Sequence, residues 1–412
     1  MSIVDQTNTE KICLLEYGQG SSIEANHNSA HSAFENIALR DPEALAVIQG
    51  NRRYSYGEID HKANCLASKL ASLGVAVGDY VAVFTLRSVE MVIGYMAVLK
   101  AGGAIIPIDS RLPEERVRYI LEISKCKIIL THPDLSMTDG IASLSLRCIP
   151  LPGEHDTEYF KKPIILLNSP AAAIFTSGST GKPKGVVIGH KNLTYLSTTD
   201  YGLLPKHKGF TLAQVASISF DVGVGDVFYT LSNQGCLILP KHESDILSVI
   251  HDIDCVQITP TALNKISPLQ AQSIGRIILL GEPISKTIVD TWMPFTTVFN
   301  AYGPTETYIS SFKKITSVEN LTVGKPLPNT VQYIVDKNLQ LVPIGVPGEL
   351  IIGGIGVALG YLNQPELTAE RFIPNHFLND GSKMYRTGDV CKWTEDGDIQ
   401  ILGRLDDMVK VK

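Results

Sequence analysis

The 412-residue chain is 44% hydrophobic, enough to bury a large core and to hold more than one packed sub-unit. A net charge of -6 with no block of like charge excludes a nucleic-acid or anionic-membrane surface as the main partner, so any basic site must be local. Seven scattered cysteines (Cys13, Cys65, Cys126, Cys148, Cys236, Cys255, Cys391) show no C-x-x-C spacing for zinc or dithiol chemistry and fit small buried hydrophobes in a reducing compartment. No secretory signal opens the chain and no apolar run reaches about 18 residues, so a cytoplasmic protein with no nucleic-acid and no membrane partner is expected.

Residues 1–28 are polar, Ser/Asn-rich towards Asn28, and read as a leader draped over the domain. From His31 helical and strand patterns alternate. "AFENIALRDPEALAVI" reads as a helix then a strand, and "YSYGEIDHKANCLASKLASLGV" as a strand then an amphipathic helix closed by Gly74. "YVAVFTL", "MVIGYMAVLKAGGAIIPID" and "KIIL" continue the series. A second series, from about 171 to 310, offers the strands "AAAIF", "GVVIG", "CLILP", "CVQIT", "RIILLG" and "TVFNAYG". Apolar, β-branched strands separated by helices predict an α/β body with buried, mostly parallel sheets. From about Val323 to Ile401 short strands such as "VQYIVD" and "GELIIGG" alternate with Gly/Pro/Asn/Asp turns, which predicts a small antiparallel or barrel-like unit. The last stretch, "GRLDDMVKVK", has no closing turn and reads as a cut through a larger protein.

One loop carries chemistry on its face. "FTSGSTGKPKG", Phe175 to Gly185, follows an apolar strand and offers backbone N–H groups, hydroxyls and two lysines, which suits a polyphosphate. It is not a P-loop. The pattern G-x-x-x-x-G-K-[ST] needs a glycine five residues before Gly181 and a hydroxyl after Lys182, where Pro183 stands instead and blocks an immediate helix start. A solvated Gly/Ser loop is the bland alternative.

The loop resembles the phosphate-binding signature of the adenylate-forming enzymes: acyl-CoA synthetases, luciferases and the adenylation domains of nonribosomal peptide synthetases. "LKAGGAIIPID" (Leu99 to Asp109), "NAYGPTET" (Asn300 to Thr307), "GELIIGGIGVALGYLNQPELTAERF" (Gly348 to Phe372), "YRTGDV" (Tyr385 to Val390) and "GRLDDMVKVK" (Gly403 to Lys412) follow in the family's order, and the nonribosomal peptide branch fits best. The resemblance implies that family's α/β fold, with two α/β sheet subdomains plus a smaller β-barrel-like subdomain. The large N-terminal core would cover 29–402 in sections of about 29–170, 171–322 and 323–402, with 403–412 a hinge and the start of a C-terminal subdomain.

By the same resemblance, Thr176, Ser177, Gly178, Ser179, Thr180, Gly181 and Lys184 would wrap the β- and γ-phosphates of ATP. Glu306 would help hold Mg²⁺, a hard cation suited to one carboxylate plus phosphate oxygens. Thr305 would donate to the α-phosphate, Tyr302 would stack on adenine within the Asn300, Ala301, Tyr302, Gly303 run, and Asn300 would read its amino edge. Asp389 would accept both ribose hydroxyls, and Arg404 would add a donor to the same sugar. Without these motifs, Glu306 and Asp389 would read as turn residues and Arg404 as a solvated charge.

"ASISFDVGVGDVFYTL" resembles the substrate stretch of amino-acid-activating members, in which Asp221 follows the aromatic Phe220 and would pair with the substrate's α-ammonium. A carboxylate in a pocket selects a ligand that brings the opposite charge. An N-cap or exposed turn acid is the bland alternative. Carry-over gives Val222, Gly225, Gln257, Ile278, Leu280, Ala301, Ile309 and Ser310 as pocket lining, with "ILLGEPISK" one glycine shorter than the family text around Ile278 and Leu280. Gly225 would leave volume, Leu280 would re-shape the pocket, and no second acid stands out to pair a cationic side chain. A neutral, medium-sized α-amino acid is the expected substrate.

The family's C-terminal subdomain supplies a lysine that bridges ATP and the acid, and the chain ends at Lys412, just past the hinge position Asp406. The expectation is therefore a chain that binds ligands but turns over poorly. Family membership also implies transfer of the aminoacyl group to the phosphopantetheine thiol of a carrier protein. A small MbtH-like helper accompanies some bacterial members, and nothing in the sequence requires one. Two rivals remain: an acyl- or aryl-acid CoA ligase, which has no need of Asp221, and a nucleotide-binding module that has lost its chemistry.

Overall fold

A computed structural model describes residues 8–24, 29–136, 138–142, 144, 146–151, 161–176, 183–198, 202–240, 253–271 and 273–405. The helices of the first half are α1 (Asn8–Tyr17), α2 (Ser32–Arg40), α3 (Tyr56–Ser72), α4 (Val89–Lys100), α5 (Glu114–Ser124), α6 (Asp139–Ala142), α7 (His190–Thr198) and α8 (Asp221–Ser232). Among them, α3 and α4 begin at capping serines, Ser55 and Ser88. At α3, Ser55 accepts the Glu58 N–H and Glu58 accepts the Ser55 N–H, so two orphan donors of the first turn are satisfied at once. Helix α4 is apolar on nearly every side and is buried along its length. Its last residue, Lys100, is fully enclosed and reaches Glu35 Oε1 at 2.5 Å, Asp60 Oδ1 at 2.7 Å and Asn64 Oδ1 at 2.9 Å. A buried cation with three partners ties α4 to α2 and α3.

The strands of the first part are β1 (Leu45–Gln49), β2 (Arg52–Ser55), β3 (Tyr80–Thr85), β4 (Ala104–Asp109), β5 (Ile128–Thr131), β6 (Arg147–Pro150), β7 (Pro170–Thr176) and β8 (Lys184–Gly189). Next come β9 (Thr211–Ala213), β10 (Cys236–Leu239), β11 (Ile253–Ile258), β12 (Ile274–Leu279), β13 (Thr297–Tyr302), β14 (Ser311–Lys314) and β15 (Lys325–Pro326). The last group is β16 (Thr330–Val335), β17 (Gly348–Gly354), β18 (Gly360–Tyr361), β19 (Phe372–Pro374), β20 (Lys383–Trp393) and β21 (Ile399–Arg404).

Three sheets result. One has seven strands in the order β18-β8-β7-β4-β3-β5-β6, and a second has nine in the order β15-β14-β13-β12-β11-β9-β10-β1-β2. Both are parallel at their centres and antiparallel at an edge, as buried apolar strands joined by helices require. The third is antiparallel, with β16, β17 and β20 side by side and both β19 and β21 on the outer edge of the long β20. The α/β layering read from the sequence is present, and the small unit is an open five-stranded sheet. Sheet membership crosses the sequence sections: β1 and β2 complete the nine-stranded sheet, while β7, β8 and β18 belong to the seven-stranded one. One apolar cluster joins the two α/β sheets, with α4, α7 and α8 contributing Met96, Tyr195 and Phe228.

The segment 8–24 lies on the third sheet. Leu14 is buried in that sheet's core and the Gly20 N–H donates to the Thr330 carbonyl at 2.9 Å. Among the described residues no helix is long and apolar enough to cross a membrane.

Candidate active site

In open parallel sheets the crevice beyond the carboxyl ends of the strands is where side chains from successive loops converge. The nine-stranded sheet follows that rule. The segment after β9 (Val215 to Phe220), the first turn of α8 (Asp221, Val222), the end of β11 (Gln257 to Thr259), the turn after β12 (Leu280 to Glu282) and the end of β13 (Tyr302 to Thr305) enclose a cavity of about 540 Å³. That volume suits a small ligand. Tyr308 and Ile309 complete the wall, and Glu282 sits exposed on it, accepting the Thr261 N–H at 2.9 Å.

Asp221 opens α8 and lines this cavity. Its Oδ1 accepts the Val222 N–H at 2.9 Å. Burial pushes its carboxyl up to about 6; the Val222 N–H and the Thr305 hydroxyl pull it down, and the negative charge of Glu306 adds to the rise. Among the described residues no cationic side chain pairs with this carboxylate.

A second cluster lies where β8 meets the third sheet. Lys184 Nζ contacts Glu306 Oε1 at 2.6 Å and the Tyr361 hydroxyl at 3.0 Å, and Tyr361 donates to the same Glu306 oxygen at 2.6 Å. The Tyr385 hydroxyl stands 3.2 Å from that of Tyr361. Burial pushes Glu306 up, but the Lys184 charge and the bonds from Lys184 and Tyr361 outweigh it and hold the carboxyl below its ordinary value. Thr176 and Lys184 are directly opposed in the antiparallel β7–β8 pair. Strand β7 is thus followed by an antiparallel strand and not by the helix of a P-loop. Ser177, Gly178, Ser179, Thr180 and Gly181 lie outside the described residues. The Thr176 hydroxyl is buried with no partner among the described residues.

The third cluster surrounds Asp389. Residues 389 and 404 are register partners across β20 and β21, so Arg404 Nη1 reaches Asp389 Oδ1 at 2.8 Å, while the Tyr302 hydroxyl donates to Oδ2. Burial pushes the carboxyl up, and Tyr302 and Arg404 offset part of that rise. The turn of chain that presents it needs Gly388, whose φ of 74° is left-handed and whose missing side chain leaves room for the Arg404 guanidinium. Each carboxylate oxygen keeps lone pairs free for hydroxyl donors.

The structure brings Asp221, Val222, Phe220, Gln257, Leu280, Tyr302, Gly303, Thr305 and Ile309 to one cavity. It does not bring Ile278, Ala301 or Ser310 to that lining. All three are buried, and the Ser310 hydroxyl bonds Gln332 and the Tyr302 carbonyl. Asn300 is also buried, and its side-chain N–H donates to the Thr322 carbonyl at 2.9 Å, a bond that does not use its Oδ1 acceptor. The volume expected at Gly225 is filled: a Cβ there would stand 1.6 Å from the Tyr308 hydroxyl oxygen and 2.5 Å from Cζ. Tyr308 takes a left-handed φ of 55° and leans its phenol against α8. Gly225→Ala must drive that ring aside, and a loss of about 1–3 kcal/mol in unfolding free energy is expected by urea denaturation.

Sequence reasoning passed over Tyr361, Tyr385 and Tyr308. The first two sit inside quoted motifs, "GYLNQPE" and "YRTGD", and the third directly follows "NAYGPTET". Their aromatic polar character was the available signal.

The fold is that of the adenylate-forming enzymes. The AMP-binding enzyme family matches residues 34–362, and the chain belongs to that family. Nonribosomal peptide synthetases stand among its relatives. Tyrocidine synthase 1 of Brevibacillus parabrevis is 37% identical over 98% of this chain, which spans 38% of that protein's length. The N-terminal subdomain of Klebsiella oxytoca NpsA in complex with 3-hydroxybenzoyl-AMSN superposes with a TM-score of 0.83 at 26% identity, covering 92% of this chain and 100% of that one. The nonribosomal peptide synthetase FmoA3 in its α-methyl-L-serine-AMP bound form gives 0.86 at 27% identity, covering 97% of this chain and 47% of that one.

Proposed function

We infer that the protein activates an α-amino acid with ATP as the adenylation unit of a nonribosomal peptide synthetase and passes it to a carrier-protein thiol. The observation that carries this is Asp221, a carboxylate in the cavity wall with no cationic side chain beside it among the described residues, within hydrogen-bond reach of Thr305. An α-ammonium supplies the missing charge. An amine-free acid, such as the hydroxybenzoyl group named for the Klebsiella relative, would leave it unpaired.

In this reading the amino acid's carboxylate points towards Thr305, its oxygen attacks the α-phosphorus, and the bond to pyrophosphate breaks with the electron pair leaving on pyrophosphate. Lys184 and the loop ahead of it take the outer phosphates, which requires Lys184 to exchange Glu306 for phosphate oxygens. Asp389 takes the ribose hydroxyls, with Arg404 and Tyr302 fixing its two oxygens in place. Held this way, the reacting atoms need little further ordering. Glu306 is a buried acid, and one carboxylate plus phosphate oxygens is a donor set that fits Mg²⁺. The metal would neutralise charge on the phosphates. Among the described residues no group of three or more His, Cys, Asp or Glu side chains is placed to hold a metal.

The test is a thermal-shift screen with sulfamoyl-adenosine analogues of the twenty amino acids and of their deamino counterparts. A response to one or a few aminoacyl analogues, lost without the α-amine, is expected. Equal responses to the deamino series would overturn the amino-acid reading in favour of an acyl- or aryl-acid ligase.

A further inference from the structure

Beyond the cavity wall lies a group of polar atoms that this chemistry leaves idle. Asp226 sits on α8, one residue after Gly225, and is fully buried. Its Oδ1 accepts the Gln257 side-chain N–H at 2.6 Å, while its Oδ2 has no hydrogen-bond partner among the described residues. Gln257 lines the substrate cavity, is 1% exposed, and its Oε1 likewise has no partner among the described residues. Buried polar atoms are almost always paired, so two idle acceptors joined by one hydrogen bond need an explanation.

Space is present beside Gln257, with Asp226 one hydrogen bond behind it. Leu203, Leu204, Leu327, Gly225 and Tyr229 border a chamber of about 20 Å³ that shares Gln257, Tyr308 and Ile309 with the main cavity, so its walls take a methylene chain and Gln257 is its polar end. It admits about one water-sized group. An ammonium has that size, offers three donors and no acceptor, and carries the charge a buried carboxyl lacks. Burial pushes the Asp226 carboxyl well above the usual range, with the Gln257 hydrogen bond and the charge of Arg87 offsetting only part of it. A hydroxyl or a carboxylate terminus answers this setting less well: the first brings no charge, and the second brings the wrong one.

We propose that Gln257 and Asp226 form the specificity end of the pocket and take the terminal ammonium of a diamino acid in the chamber beside Gln257. Gln257 Oε1 accepts from the ammonium, and Asp226 is a positioning residue that holds the Gln257 N–H side towards itself and supplies the counter-charge. This rests on the amino-acid-activating reading and replaces the neutral substrate expected from the sequence. The lack of a visible second acid there came from judging only the carried-over pocket positions, whereas Asp226 works from behind one of them.

The experiment is calorimetric binding of ornithyl, lysyl, norvalyl, norleucyl and glutamyl sulfamoyl-adenosines to the 412-residue chain. Ornithyl or lysyl should bind at least about tenfold more tightly than its uncharged isostere, with glutamyl weakest, because a site built for a donor rejects the analogue lacking it. Equal or tighter binding of the uncharged analogues overturns the proposal while leaving amino-acid activation standing; failure of all five also overturns the proposal, and amino-acid activation then falls only if the deamino analogues of the wider screen bind equally well. Asp226→Asn should bring the charged-to-uncharged affinity ratio close to one. A parallel loss for both analogues, with the ratio kept, would mark Asp226 as merely structural and overturn its role.

Discussion

Asp221→Asn should abolish binding of aminoacyl-adenylate analogues, by about a hundredfold or more, and at the same time make the ligand-free protein more stable. The first effect follows from leaving a ligand ammonium buried without its counter-charge, which costs about 2–5 kcal/mol, and each 1.4 kcal/mol is about tenfold in affinity. The second follows from the carboxyl being pushed up from 3.8 to about 6. The folded state then holds the proton more tightly than the unfolded chain. Stability contributed by this group is thus present below about pH 4, is lost as pH rises to about 6, and stays lost above it. Asp221 faces the cavity, and solvent there screens it, so about 1–2 kcal/mol at neutral pH is the expected gain in the variant. Urea midpoints at pH 7.5 for both proteins measure it. An unchanged midpoint would mean that the carboxylate is already paired. Amino-acid affinity of the parent protein should also weaken below pH 6, as the ligand must then displace a proton.

Lys184→Met should lower stability by about 3 kcal/mol and reverse its pH dependence. Glu306 is held below its ordinary value of 4.5 because Lys184 and Tyr361 outweigh its burial. In the parent, that contribution is full above about pH 4.5 and is lost as pH falls below it. Without the lysine an uncompensated buried carboxylate remains, a change that typically costs about 3–5 kcal/mol, reduced here because the Lys184 side chain keeps 24% of its exposure. Burial then dominates, Glu306 takes up a proton more readily, and the variant gains stability on acidification. Adding Glu306→Gln should return the denaturation midpoint to within about 1 kcal/mol of the parent, since an amide carries no charge to leave unpaired. Urea denaturation at pH 5 and pH 8 separates these outcomes, and a double variant as unstable as Lys184→Met alone would refute the account.

Local signals carried much of the fold. The strands "YVAVFT", "RIIL" and "TVFNAY" are apolar runs of strand length, and the Ser55–Glu58 box announces α3. What local pattern cannot carry is pairing across long separations. β1 beside β10 and β18 beside β8 depend on which edges are left open once the helices have packed. At the site, ordered motifs singled out Asp221, Lys184, Glu306, Asp389 and Arg404, whereas the direct pairing of Arg404 with Asp389 came only from the register of β20 and β21. Tyr308 at Gly225 was not legible, because a left-handed residue in a loop aims a ring at a helix far away in sequence. Asp226 was hidden for the same reason: its meaning comes from Gln257, on a different strand.

The way the sheets share strands bears on re-engineering. Every residue of the cavity wall falls between Val215 and Ile309, inside one continuous run of the nine-stranded sheet, and among the described residues the strand pairing that joins this run to earlier sequence is β1 with β10. A graft of roughly 209–327 would carry a foreign selectivity as a unit, whereas a graft cut at 171 would tear β7 and β8 out of their own sheet. Its success would hinge on docking points in the recipient that include Arg87 on the Gln214 side chain, the Asp109 N–H on Ser219, Tyr56 on the Gly235 carbonyl, and Lys184 and Tyr361 on Glu306.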